Sequence, residues 1–266
     1  MEKISLDPHI EKYYSEGSEK DRLVTHKLER ARTLQILKKR LPPAPAVILD
    51  VGGASGVYAF ELAERGYEVH LIDPIAVHIE QAQEIAKNTA CPLASYSIGD
   101  ARQLPAENAS ADVVLLFGPL YHLIEPADRL KALQEARRVL KPHGHLFAVG
   151  ISRFASFMDA VHKAVINEKF SVIQNDFASG VHRKISEDFI FAFLHHPSEL
   201  KQEVEKAGFK NVSLLAIEGP VWEKQILATL EHDEQSWQKL LTLLESIEAE
   251  ETIMGASAHI MAVARK

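Results

Sequence analysis

Residues 47–56 read VILDVGGASG, and this stretch decides how the chain folds. The segment Val47–Val51 is apolar except for Asp50, which is typical of a strand buried on both faces of a parallel sheet. The glycines after it allow a tight turn and let the backbone approach a ligand closely. Residues 57–65 are then predicted to form a helix whose first amide groups point at that ligand. A strand, a glycine turn and a helix in this order predict a nucleotide-type cofactor site.

The alternation of strands and helices continues along the chain. Further strands are predicted at residues 69–72, 94–98, 113–117, 146–149, 212–217 and 259–264, and further helices at 21–41, 75–88, 126–140, 197–207 and about 233–251. Strands that alternate with helices imply βαβ units and a parallel sheet. The predicted fold class is therefore α/β, with a doubly wound and mostly parallel sheet of seven strands.

The chain is expected to divide into four regions. They are an N-terminal helical cap at 1–45, a cofactor-binding core at 46–150, a lid or acceptor insertion at 151–197, and the C-terminal part of the core sheet with an inserted helix at 198–266. The insertion is rich in Phe and His and shows no clear alternation, so it is expected to be helical material beside the carboxyl edge of the sheet. Its helically spaced stripe, Phe154, Phe157, Val161 and Val165, is interpreted as packing that can also wall the acceptor pocket.

Composition narrows the class of function. The 266 residues carry a net charge of −7 and a single cysteine, Cys91, which fits a reducing compartment. No run resembles a signal peptide or a membrane span, so a cytoplasmic protein without a membrane partner is expected. Residues 1–45 carry +3 and the remainder −10, and this acidic body argues against a nucleic-acid partner because phosphate binding needs a basic surface.

Four features stand in order at the ends of four consecutive predicted strands. They are Asp50 with the turn at 52–56, Asp73, the segment Gly99-Asp100-Ala101, and the strand at 112–118. Together with the Leu-Lys-Pro-His-Gly turn at 140–144, they resemble the class I S-adenosylmethionine-dependent methyltransferases of the small-molecule, UbiE-like type. Ala54 stands where that family has the middle glycine of its turn, a mild departure that leaves the turn plausible.

The resemblance implies a Rossmann-like methyltransferase fold, S-adenosyl-L-methionine as cofactor and S-adenosyl-L-homocysteine as product. It implies that Asp73 holds the ribose hydroxyls and that Asp100 and Ala101 meet the adenine. The segment with Tyr13 and Tyr14 resembles a part that closes over the cofactor, and packing on the domain surface is the alternative. The implied cofactor-binding residues are Tyr14, Asp50, Gly52, Gly53, Ala54, Gly56, Asp73, Pro74, Asp100, Ala101, Phe117 and Gly118.

Two other classes compete with this interpretation. An NAD-type oxidoreductase would align its G-x-G-x-x-G fingerprint with Val51, Gly53 and Gly56, which puts valine where the first glycine is required. Asp50 favours a methyl donor, because a carboxylate suits an ammonium or sulfonium and repels a pyrophosphate. A non-catalytic cofactor-binding protein is the second alternative, although the long insertion is then hard to explain.

The acceptor side is predicted to lie where the fourth strand ends. Methyl transfer from a sulfonium needs in-line positioning and exclusion of water, and a base only for a protonated acceptor. His122 is the candidate base and Tyr121 the candidate orienting residue, with a packed, hydrogen-bonded His122 as the alternative. His182, Arg183, His195 and His196 are predicted to be exposed lid residues, with acceptor recognition or acid–base work as the alternative. No metal site is predicted, because no histidine pair has zinc-ligand spacing. The expected partner is a small-molecule acceptor, methylated on O, N, S or C, for a monomer or homodimer.

Overall fold

A computed structural model describes the backbone of residues 26–183, 192–222 and 224–266, and the side chains of all of these except residues 224–226. In chain order the strands are β1 Val47–Val51, β2 Glu68–Asp73, β3 Ser95–Ile98, β4 Ala111–Leu116, β5 Leu140–Ser152, β6 Val181–His182, β7 Ala192–His195, β8 Lys210–Ala216 and β9 His259–Arg265. The helices are α1 Lys27–Arg40, α2 Val57–Ala63, α3 Ala76–Ala86, α4 Pro119–His122, α5 Pro126–Val139, α6 Ala155–His162, α7 Ile166–Ser179, α8 Pro197–Lys206, α9 Lys224–Glu231, α10 Glu234–Ile247 and α11 Glu251–Met254.

The central sheet is mostly parallel, which confirms the predicted α/β class. Strands β3, β2, β1, β4 and β5 run parallel in that spatial order, β9 pairs antiparallel with β5, and β8 pairs antiparallel with β9. All seven predicted strands are therefore present. The hairpin β6–β7 brings the sheet to nine strands, because β7 pairs with the last two residues of β5 beyond the end of β4.

Helices cover both faces of this sheet, and two apolar clusters form the core. One cluster includes Leu133 of α5 with Leu200 and Val204 of α8, all fully buried. The other includes Leu62 of α2 and Ile79 of α3. A sheet buried on both faces explains why the central strands are almost continuously apolar rather than alternating.

Strand β5 is much longer than the sequence suggests. The predicted strand covers residues 146–149, but β5 runs from Leu140 to Ser152 and includes the supposed turn at 141–144. The register shift between Ala111 and Val113 absorbs that turn as an irregular start of the strand. Pairing with β9 from His145 to Ile151 then supports the whole remaining length.

The insertion after β5 differs from the prediction in three respects. It holds the helices α6 and α7 but also the hairpin β6–β7, which the sequence pattern did not reveal. His195, expected to be exposed, is fully buried at 0% exposure because β7 lies inside the sheet. Phe157 and Val161, expected to pack, are 40% and 44% exposed, although the ring of Phe157 contacts that of Phe177 edge to face at 6.0 Å.

The connection between β8 and β9 contains three helices where one was predicted. Helices α9, α10 and α11 lie between β8 and β9. Glu248, just after α10, bonds to two arginines of α1, Arg32 at 2.7 Å and Arg40 at 2.9 Å, and so fastens α1 to this part of the molecule. Among the described residues, no helix has the length and apolarity needed to cross a bilayer.

Candidate cofactor site

The carboxyl ends of β1, β2 and β4 meet at one edge of the sheet, where open α/β folds bind their ligands. Residues 52–56, here called the glycine turn, leave β1 at this edge and enter α2. Gly52 and Gly56 have φ angles of +71° and +86°, which glycine adopts without strain. Ala54 also lies in the left-handed region, at φ +49°. The departure from the family's middle glycine therefore keeps the turn, at a modest backbone cost.

The neighbours of the glycine turn leave no room for side chains. A Cβ on Gly52 would lie 2.7 Å from Cδ of Pro119, at the start of α4. A Cβ on Gly53 would lie 2.5 Å from Oδ2 of Asp50 and 2.6 Å from Cδ1 of Leu71. Both glycines are thus required by close packing, and the turn presents bare backbone to whatever binds above it.

Asp50 lies directly beneath the glycine turn in an unusual electrostatic state. Its side chain is fully buried, and neither carboxylate oxygen has a hydrogen-bond partner among the described residues. Burial, and then the nearby charge of Asp73, raise the pKa of Asp50 from 3.8 to about 7. An unpaired buried carboxyl group of this kind costs folding free energy, and a cation bound nearby would offset that cost.

Asp73 ties the second strand to the glycine turn. Its Oδ2 accepts a 2.9 Å hydrogen bond from the amide of Ala54, and its Oδ1 accepts another, also 2.9 Å, from the amide of Ile75. Nδ1 of His78 lies 2.9 Å from the same Oδ1. Pro74 is half-buried beside it. Oδ2 retains accepting capacity for a ligand hydroxyl, since a carboxylate oxygen has two lone pairs.

Asp100 is held by an arginine that the sequence reading overlooked. Arg102 donates from Nη2 to Oδ2 of Asp100 at 2.7 Å and from Nε to Oδ1 at 3.0 Å. Its Nη1 donates to Asp128 of α5 at 2.8 Å. These bonds fix the orientation of the Asp100 carboxylate, while Ala101 next to it is buried. The i, i+2 spacing of an acid and an arginine was the available signal.

The segment after β4 lies against the glycine turn. A Cβ on Gly118 would lie 3.1 Å from the carbonyl oxygen of Gly52 and 3.8 Å from Oη of Tyr121. The rings of Tyr121 and His122 pack edge to face, 4.6 Å apart, and both residues are half-buried. Phe117 packs edge to face on Tyr58 of α2 at 5.3 Å. The structure therefore brings Phe117, Gly118, Tyr121 and His122 to the same edge as the turn.

The remaining candidates lie elsewhere. Tyr14 lies outside the described residues. Nδ1 of His182 lies 2.6 Å from the buried Asp176, and His196 caps the N-terminus of α8. Nε2 of His195 lies 3.3 Å from Glu203, and burial lowers the pKa of His195 against the opposing effect of Glu203. None of these three histidines is among the residues gathered around the glycine turn.

Comparison with known proteins agrees with this architecture. A family model described as a methyltransferase domain matches residues 48–144. An uncharacterized methyltransferase of Mycobacterium tuberculosis is 33% identical over 113 residues, and this stretch is 42% of the present chain and 43% of the mycobacterial protein. The UbiE ubiquinone/menaquinone biosynthesis C-methyltransferase of Caulobacter sp. strain K31 is 29% identical, over 68% of this chain and 75% of its own length.

Solved structures show the same fold at lower identity. A methyltransferase of Methanosarcina mazei superposes with a TM-score of 0.59 at 19% identity, over 87% of this chain and 96% of its own. The phosphoethanolamine N-methyltransferase 2 of Haemonchus contortus, solved with S-adenosyl-L-methionine, superposes with a TM-score of 0.55 at 17% identity. This match covers 89% of the present chain and 52% of the nematode protein's chain. Residues 48–144 therefore carry a methyltransferase domain, the chain is similar to a UbiE enzyme, and its fold is that of solved S-adenosylmethionine-dependent methyltransferases.

Proposed function

We propose that this protein binds S-adenosyl-L-methionine at the glycine turn and transfers its methyl group to a small-molecule acceptor. The observation that carries the proposal is the unpartnered Asp50 carboxyl beneath the turn. The methionine end of the cofactor carries an ammonium and a sulfonium, and either cation would be attracted to this carboxylate through a medium of low dielectric. The half-buried backbone of Gly52 and Gly53 gives the ligand access to the region above it.

The same charge disfavours a dinucleotide. A pyrophosphate placed at this turn would lie over a buried carboxylate that accepts no hydrogen bond from the described residues. Like charges at this separation repel strongly away from water. The matched domain and the relatives are methyltransferases, so nothing in the comparisons favours an NAD-type oxidoreductase.

The other strand ends suit the remaining parts of the cofactor. Oδ2 of Asp73 keeps accepting capacity for a ribose hydroxyl, and Ala101 with the fixed carboxylate of Asp100 would face the adenine. Gly118, Phe117 and Pro74 would complete the walls. When bound, the cofactor supplies an electrophilic methyl group that an acceptor nucleophile displaces from sulfur.

The acceptor would approach from the side of Tyr121 and His122. These residues follow β4 and lie against the turn, so they are placed to orient an acceptor and to exclude water. For a phenol, thiol or ammonium acceptor, His122 would take the proton that leaves on methylation. Similarity to ubiquinone-biosynthesis methyltransferases makes phenolic compounds the first acceptors to test. We further infer a cytoplasmic monomer or homodimer that does not act on nucleic acid.

Calorimetric titration with S-adenosyl-L-methionine, S-adenosyl-L-homocysteine and NADH, run in parallel, tests the cofactor. The proposal predicts micromolar or tighter binding of the first two and none of NADH. Binding of NADH alone would overturn it. Binding of S-adenosyl-L-methionine and S-adenosyl-L-homocysteine without methylation of any phenol, thiol or amine would favour the non-catalytic alternative.

A further inference from the structure

Three side chains capable of binding a metal meet at a second place on the carboxyl edge of the sheet. They are Glu29 of α1, Glu218 just after β8, and His259, the first residue of β9, here called the Glu–Glu–His cluster. Their ligand atoms all lie within 4.8 Å of one another. No other group of three such ligands occurs in the part of the chain that the structure describes.

The fold brings these distant residues together through specific contacts. Strand β8 runs parallel to β5 and β9 antiparallel to both, so the end of β8 meets the start of β9. The amide of Ile217 donates to the carbonyl of His259 at 3.1 Å. Nε of Arg32 donates to the carbonyl of Ile217 at 3.1 Å, which holds α1 over this corner. Glu29 lies three residues before Arg32, on the same face of the helix.

Glu218 is oriented by hydrogen bonds that leave one oxygen facing the histidine. Its Oε2 accepts from Oγ of Ser257 at 3.1 Å and from the amide of His259 at 3.0 Å. Its Oε1 lies 2.6 Å from Nδ1 of His259, and Oε2 of Glu29 lies 4.0 Å from the same nitrogen. Burial favours a higher pKa for Glu218, but the attraction and hydrogen bonds of His259 outweigh it and lower that pKa.

The cluster combines oxygen and nitrogen ligands in a place that is largely shielded from water. Two carboxylates face one imidazole, and the side chains of Glu29, Glu218 and His259 are only 10%, 9% and 15% exposed. Carboxylates with so little contact with water are stabilised when a cation binds between their oxygens.

We propose that the Glu–Glu–His cluster is a divalent-metal site with a preference for Zn²⁺ over Mg²⁺. Zinc binds imidazole nitrogen and carboxylate oxygen at roughly 2.0–2.2 Å, so closing the cluster around it needs side-chain shifts on the order of 1 Å. Mg²⁺ prefers six oxygen ligands and is a poor match for a histidine. The ion would displace the proton held between His259 and Glu218. Three protein ligands leave a coordination position open to water.

Titration of tag-free protein with ZnCl₂ and with MgCl₂ tests the site. Wild-type protein is expected to bind one Zn²⁺ at micromolar or lower Kd and Mg²⁺ far more weakly. Glu29→Gln and His259→Gln are each expected to weaken zinc binding by at least tenfold. His182→Gln is the matched control, because it removes a histidine that lies 2.6 Å from one buried carboxylate, Asp176, and among the described residues this pair belongs to no three-ligand group. It should leave zinc binding unchanged.

Two results would overturn the metal site. One is the absence of zinc binding by wild-type protein up to about 1 mM, the weak end of measurable affinity. The other is equal zinc binding by the four proteins, which would place the ion elsewhere. Titration of each protein with S-adenosyl-L-homocysteine reports its folding and its cofactor site separately, so failure of the metal site and failure of the proposed function are distinguishable.

Discussion

Asp50 has the strongest consequences of any single residue in this molecule. It is buried without a partner among the described residues, and its pKa is raised to about 7. A carboxyl group whose folded-state pKa exceeds its unfolded value stabilises the fold when protonated and loses that advantage as pH rises. The protein therefore keeps at the edge of its sheet a charge that only a bound cation would compensate.

The variant Asp50→Asn is expected to change how stability depends on pH. Because the pKa is 3.8 in the unfolded chain and about 7 in the fold, the wild-type free energy of unfolding should fall between about pH 4 and pH 7 on account of this group. The full fall is on the order of 4 kcal/mol. The neutral amide cannot ionise, so Asn should gain stability relative to Asp from pH 5 to pH 8. Urea unfolding of both proteins at pH 5 and at pH 8 measures their free energies of unfolding. The same difference between the two proteins at both pH values would contradict the raised pKa of Asp50.

Arg102 is expected to act as a positioning residue for Asp100. Arg102→Met removes two bonds to the Asp100 carboxylate and should weaken S-adenosyl-L-homocysteine binding by roughly tenfold, as the loss of an orienting hydrogen-bond pair does. Arg40→Met is the control, because it breaks another arginine–carboxylate pair, the one between Arg40 of α1 and Glu248. Equal affinities for both variants would show that the orientation of Asp100 does not matter.

The sequence could predict those site residues whose position follows from their immediate neighbours in the chain. Asp50, the glycines and Asp73 come at the ends of apolar runs, and such positions map directly onto a sheet edge. The partners of these residues could not be predicted, because Arg102 and His78 reach them through side-chain directions set by tertiary packing. The Glu–Glu–His cluster was missed since 189 residues separate Glu29 from Glu218.

At the scale of elements, the glycine turn is the most constrained part of the fold. Gly53→Ala would place a Cβ 2.5 Å from Oδ2 of Asp50, so a loss of about 1–3 kcal/mol in unfolding free energy is expected, as for other overpacked sites. Binding of S-adenosyl-L-homocysteine should fall with it. Ala54→Gly is the matched control, since glycine adopts the φ of +49° without strain and should keep binding. Unaltered binding by Gly53→Ala would contradict the turn's role.

Arg129 of α5 fastens the insertion to the core. It is 2% exposed, donates to the carbonyls of Leu123 and Ile124 at 2.9 and 2.6 Å, pairs with Glu203 at 2.8 Å, and stacks 3.5 Å over the ring of Phe193 in β7. Breaking a buried pair from one side costs roughly 3–5 kcal/mol.

Arg129→Met is therefore expected to lower the unfolding free energy by an amount in that range. Arg137→Met, eight residues later in the same helix, removes a half-buried arginine whose side chain, within the described part of the chain, donates to the carbonyl of Gly208, and it should cost less than about 1 kcal/mol. Chemical denaturation of both variants measures these losses. Similar losses in the free energy of unfolding would contradict the claim that Arg129 connects the insertion to the core.

Helices and strands were predicted correctly where an apolar pattern extends over many residues. They were missed where a strand depends on pairing with residues far away in the sequence. The helices on the two faces of the sheet follow from their apolar spacing. The length of β5 depends on its pairing with β9, and the hairpin β6–β7 depends on the pairing of β7 with the end of β5. No local sequence pattern indicates either pairing. His195 was misjudged for the same reason, since its burial comes from β7 lying inside the sheet.

For the whole molecule, the sheet organises two sites on one edge. The candidate cofactor site lies at β1, β2 and β4, while the Glu–Glu–His cluster lies past β5, at β8 and β9. The acidic body of the protein, net −10 after residue 45, suits cationic ligands at both places. The division into cap, core and insertion remains a prediction from the sequence.

Calorimetric titration with S-adenosyl-L-homocysteine at pH 7, in two buffers of different ionisation enthalpy, tests the central claim most directly. Because the pKa of Asp50 is about 7, part of the protein carries a proton on this group, and binding of the ligand's ammonium should release it as a fraction of a proton per ligand. Asp50→Asn should bind more weakly and release none from this group. An absence of binding, or the same proton release in both proteins, would contradict the claim that Asp50 serves a cationic cofactor.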